Sequence, residues 1–158
     1  MKVNYLFPNK YKKIGWLIFI PTAIIGLITL ILEYEPDFLD FKVPAIFIDK
    51  IFGNKYLIGM VENNILNEVL GVLVIISSLL VAFSKEKSED EYISKIRLES
   101  LVWAVYVNYG ILLISFIFIF DLSFLWVMIF NIFTVLLFFI IRFNWQISKL
   151  KKSASYEE

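Results

Sequence analysis

The residues of this chain that could do chemistry are few, and most of them lie inside apolar runs. Glu68 sits about one turn into such a run, where a carboxylate could carry protons or pair with a cationic substrate. At a helix start the same group is stabilised by the helix dipole and reaches the interface, so anchoring is the simpler reading. Glu99 and Arg142 are an ion-pair candidate at the inner interface. Counted from a turn at Asp121–Ser123, they lie about 22 and about 19 residues away, roughly 5 Å apart in depth. Asn108 and Asn131 fall near the middle of two further runs, with Tyr106 and Tyr109 beside Asn108. The same count separates the two amides by about 7 Å, so each is expected to bond a different neighbour, as glue between helices or as the lining of a polar path. Glu89, Asp90 and Glu91 begin a charged segment that could dock a cytoplasmic partner, or could simply complement a helix N-terminus.

No catalytic set emerges from these residues. The chain has no cysteine and no histidine among its 158 residues. That excludes thiolate nucleophiles, iron–sulfur clusters, His-ligated haem and ordinary zinc sites. An enzyme would have to work with carboxylates, Lys, Tyr or Ser alone, so a non-enzymatic protein without cofactor or metal is expected. The formal charge is zero, with 15 basic and 15 acidic residues, which gives no reason to expect nucleic acid as a partner.

Four apolar runs must position these groups: 14–32, 65–83, 98–120 and 124–141. Each would extend about 27–35 Å as a helix, the thickness of a bilayer's hydrocarbon core. The expected fold is therefore all-α: one integral membrane domain over 1–158, a four-helix bundle with the lipid bilayer as its solvent. Lys2, Lys10, Lys12 and Lys13 precede the first run, Lys85, Lys87, Lys95 and Arg97 fill the inner linker 84–97, and Arg142, Lys149, Lys151 and Lys152 follow the last run. The outer loop 33–64 is net acidic. Positive residues mark the cytoplasmic side, so a multi-pass protein of the cell membrane with both termini cytoplasmic is expected. The first run is read as a retained signal anchor, because Glu33-Tyr34-Glu35-Pro36 stands where a cleavage site would be. Trp16, Trp126 and Trp145 fall at the expected boundaries.

Within the outer loop, Val43–Gly53 reads as a short amphipathic helix, with Pro44 at its first position, Gly53 beyond its end, and Phe47, Ile48, Ile51 and Phe52 on one face. Pro21 lies inside the first run, while Gly71, Ser77 and Ser78 give the second a small-residue face for close packing.

The inner linker reads as a cytoplasmic extension of the third run, with a turn around Ser84–Ser88. Its run Lys85-Glu86-Lys87, then Glu89-Asp90-Glu91-Tyr92-Ile93, then Arg97-Leu98 and Ser100, resembles a signature of uncharacterised small bacterial multi-span membrane proteins. The resemblance covers about sixteen residues and implies a bacterial membrane protein. It brings no activity with it. The leading functional expectation is an accessory or regulatory protein that binds a membrane or cytoplasmic partner; a homo-oligomer is the other form of association. The alternative is a small oligomeric transporter for cations or amphiphiles using Glu68.

Overall fold

The computed structural model describes residues 5–49 and 55–154. It is mostly helical, in the order α1 (Lys10–Leu32), β1 (Asp40–Asp49), β2 (Lys55–Asn64), α2 (Leu66–Ala82), α3 (Glu91–Phe118) and α4 (Leu122–Ala154), with a 3₁₀ turn at Asp37–Leu39 before β1. Three of the helices, α1, α3 and α4, are long and apolar enough to cross a membrane. The fourth, α2, has 17 residues and is about 25 Å long, the low end for a span.

The chain forms two compact units. One joins the amino-terminal segment up to Ile18 to everything from Ile75 onward; the other is Phe19–Val74.

In the first unit α3 and α4 form an antiparallel pair joined by a tight link. Ile119 is extended, and Asp121 takes a left-handed conformation with φ 56°, which an aspartate accepts more readily than most residues. The buried face of α3 comprises Ile93, Ile96, Arg97, Ser100, Ala104, Asn108 and Ser115, a stripe at helical spacing. Phe139, Ile140, Phe143 and Ile147 are its buried counterparts on α4. Phe83, Phe139 and Phe143 stack in series, with ring centres 5.6 and 5.7 Å apart. Gly15 is a close-approach position, because a Cβ there would stand 2.9 Å from Val81 Cγ2 and 3.0 Å from the Val81 nitrogen. The small-residue expectation thus needs adjusting: Ser77 and Ser78 are buried, whereas a Cβ on Gly71 would meet nothing within 4 Å.

The second unit holds an antiparallel hairpin, paired from Asp40↔Asn64 through Ile46↔Ile58 to Asp49↔Lys55. It replaces the amphipathic helix expected over Val43–Gly53. Val43, Ile46 and Ile48 are β-branched and face Val61, Ile58 and Tyr56, a composition that favours a pleated ribbon. Phe47 and Ile48, expected on one face of a helix, are instead consecutive residues of a strand. Pro44 is tolerated because both strands of a two-stranded ribbon are edges. Residues 50–54, including the expected helix end at Gly53, lie outside the described residues.

Candidate functional site

Most of the buried charge gathers at one end of the first unit. The turn before α3 is built by two acids. Asp90 caps the helix, its side chain accepting from the Ile93 N–H at 2.7 Å, and Glu89 accepts from the Glu86 N–H at 2.8 Å. Glu89 also receives Arg97, whose Nη2 lies 3.1 Å from both carboxylate oxygens. The other terminal nitrogen of Arg97 donates to the Ala82 carbonyl, at the end of α2, at 2.9 Å. The guanidinium rests over the Phe143 ring, 4.4 Å from its centre. Arg97 is only 6% exposed, so its charge depends on these partners.

A second pair sits beside the first. Glu86, 8% exposed, is ion-paired to Lys12 of α1, and Lys151 of α4 approaches its other oxygen at 3.7 Å. Lys12 also lies 5.5 Å from the Phe143 ring centre. Backbone bonds reinforce the arrangement: the Phe7 N–H donates to Phe83 O, the Lys85 N–H donates to Phe7 O, and Asn9 Nδ2 donates to Lys85 O at 2.6 Å. Lys12, Glu86, Glu89, Arg97, Phe143 and Lys151 thus tie the start of α1, the α2–α3 turn, α3 and α4 together. Two acids meet three bases in a lock with little left over for a ligand.

Of the docking candidates, Glu89 and Asp90 therefore have structural duties inside the chain, while Glu91 is exposed in the first turn of α3. Glu99 and Arg142 are not brought together. Glu99 lies 4.0 Å from Lys95 on its own helix, and Arg142 stacks on Trp103 at 4.6 Å. Glu99 is two residues from Arg97, about 200° around α3 and so off the face that meets α4.

Asn108 and Asn131 do meet, contrary to the expected depth offset. Asn131 Nδ2 donates to Asn108 Oδ1 at 3.2 Å, and the Thr134 hydroxyl donates to the same oxygen and lies 3.1 Å from Asn131 O. The count from Asp121–Ser123 misplaced both helix ends. With α3 ending at Phe118 and α4 starting at Leu122, Asn108 is 10 residues in and Asn131 is 9, about 1.5 Å apart in depth. Asn108 is 1% exposed, so the three side chains form a closed polar knot in an apolar interface.

In the second unit Glu68 lies in the first turn of α2 and accepts from Asn63 Nδ2 at 2.8 Å. Its neighbour Asn64 clamps the hairpin base. It donates to Pro36 O at 2.8 Å and Asp40 Oδ1 at 2.7 Å, and accepts from the Leu66 N–H at 3.2 Å. Glu68 is thus an exposed helix-start carboxylate bonded to a strand residue.

The sequence reading missed Lys12, Glu86, Thr134 and Phe143. Thr134 had a signal, standing three residues after Asn131 on the same helix face. Lys12 and Glu86 are 74 positions apart, and no local spacing could pair them. Among the described residues no group of three or more His, Cys, Asp or Glu could hold a metal ion. No protein-family model matches the chain, and no characterised protein or solved structure is similar to it.

Proposed function

We propose that this chain is a four-span integral protein of the cell membrane, with both termini cytoplasmic, that serves as a non-enzymatic accessory or regulatory subunit. Its hairpin is the element that binds a protein partner. The carrying observation is the apolar exposure of that hairpin: Ile46 is 70% exposed, Ile58 77%, and Phe41, Leu57 and Met60 are also open. A two-stranded ribbon has unpaired N–H and C=O groups along both edges, so it does not enter hydrocarbon and its apolar side chains meet water. Apolar surface held in water on an ordered element marks an interaction site.

The interior supports the same reading. Asn108, Asn131 and Thr134 satisfy one another, and the buried Glu86 and Arg97 each have an ionic partner. Polar groups so committed hold helices together.

Ile46 and Ile58 are directly opposite in the register, which makes the test compact. The wild-type chain and an Ile46→Glu/Ile58→Glu variant would be crosslinked in native membranes, extracted in mild detergent and analysed by mass spectrometry. A stoichiometric partner held by the wild type and lost from the variant is expected. A partner held equally by both removes the hairpin as the docking element, and a wild type with no partner at all overturns the accessory role.

A further inference from the structure

The cytoplasmic ends of α3 and α4 form an open cleft of about 380 Å³, lined by Tyr92, Ile96, Trp145, Gln146, Lys149 and Ser153 among others. We propose that this cleft seats the headgroup of an anionic phospholipid from the inner leaflet. The assignment rests on the membrane topology proposed above, and not on the partner-binding role of the hairpin.

Depth is the first argument. Arg142 is 20 residues along α4 from Leu122 and Lys149 is 27, about 30 Å and about 40 Å down the helix. With Leu122 at the outer edge of a hydrocarbon core about 30 Å thick, Arg142 stands at its inner edge. The Lys149 backbone lies about 10 Å beyond, at the outer margin of the headgroups, which its long side chain reaches. Trp145 falls between them, where an interfacial indole belongs, and is 63% exposed.

Charge is the second argument. Two nearby acids are already used, Glu86 by Lys12 and Lys151 and Glu89 by Arg97, while Glu91 beside Tyr92 is exposed. Lys149 has no carboxylate partner among the described residues, and the Gln146 amide makes no hydrogen bond there either. One turn nearer the hydrocarbon on the same helix face, Arg142 lies against Trp103 with its buried Nε unpartnered. A cation and an amide lining one opening, with a guanidinium at the level of the glycerol, are donors that a phosphodiester takes. Tyr92, Trp145 and Ile96 supply the apolar wall beside the headgroup and glycerol.

The test compares retention of phosphatidylglycerol and phosphatidylcholine with identical acyl chains by native mass spectrometry of the detergent-solubilised full chain. Wild type is expected to retain the anionic lipid preferentially, and Lys149→Gln to lower that preference about fivefold, the effect of one basic residue near a membrane surface. Lys87→Glu, a change on the exposed linker, is expected to leave the preference unchanged. Equal retention of both lipids by the wild type, or an undiminished preference in Lys149→Gln, overturns the proposal. So does displacement of the lipid by millimolar inorganic phosphate, which would make this a site for the free anion. Topology is checked separately: in a chain without cysteine, Ser153→Cys gives a single label site. Labelling from the cytoplasmic side is expected. Labelling from outside overturns the inner-leaflet assignment through its topology, whatever the lipid result.

Discussion

Arg97 and Glu89 are eight residues apart, and the guanidinium reaches both carboxylate oxygens from inside α3 while the carboxylate lies on the turn before it. The pair is nearly removed from water, with side-chain exposures of 7% and 19%. Removing one partner of such a pair leaves an uncompensated charge, whereas removing both leaves a neutral site. Arg97→Met and Glu89→Gln are each expected to destabilise the α3–α4 unit by about 3–5 kcal/mol. The double variant should lose clearly less than the sum. Thermal unfolding in detergent measures all three, and strict additivity would show that the two charges do not depend on each other.

The knot of Asn108, Asn131 and Thr134 makes a smaller prediction. Hydrogen bonds between membrane helices contribute about 0.6–2 kcal/mol, because separated helices find other partners. Asn108 Oδ1 accepts from both α4 side chains, so Asn108→Leu should cost about as much as Asn131→Leu and Thr134→Val together. A double-mutant cycle reads this directly. A coupling energy near zero between Asn108 and Thr134 would mean the bond contributes nothing.

Two glycines separate close packing from open space. Gly15→Ala puts a Cβ 2.9 Å from Val81 Cγ2 and 3.0 Å from its backbone nitrogen, and the backbone cannot give way as a side-chain end can. A loss of about 1–3 kcal/mol is expected. Gly71→Ala meets nothing within 4 Å and should leave stability unchanged, or raise it by up to about 1 kcal/mol through helix propensity. Melting temperatures of the two variants check both signs together.

The helices were legible because each is apolar for longer than any soluble element requires; the run read as 65–83 is the helix Leu66–Ala82. The hairpin was not. Six residues such as Val43–Ile48 fit a period of two about as well as one of 3.6, and the competing evidence, a matching strand at Lys55–Asn64, lies across residues 50–54. The meeting of Asn108 and Asn131 depended on Ile119 being extended, which moves the end of α3 back to Phe118. The linker signature was visible as a pattern before it had a meaning. Glu86, Glu89, Asp90 and Arg97 are its ion-pairing and capping residues, while Ile93 and Ser100 are buried beside them. Read alone, its acids fitted either a docking site or the start of a helix. With Lys12 and Arg97 placed against them, they close the end of the unit.

The base of the hairpin depends on one side chain. Asn64 holds Pro36, Asp40 and the Leu66 N–H at once, so it fixes the approach to β1, the first strand pair and the start of α2. Asn64→Ala removes all three bonds. At about 0.5–1.5 kcal/mol net for each bond, and with some loss made good by water, about 2 kcal/mol of local stability is expected to go. Asn64→Asp keeps the acceptor for Leu66 but sets a carboxylate where the amide donated to Asp40 and Pro36. It should therefore loosen the hairpin at least as much as alanine does. Hydrogen exchange resolves the effect by segment: amides of 40–49 and 55–64 should lose protection in both variants, while those of α3 and α4, in the other unit, keep theirs. Equal protection of the hairpin in wild type and Asn64→Ala would show that strand pairing alone holds it, and that the clamp is incidental.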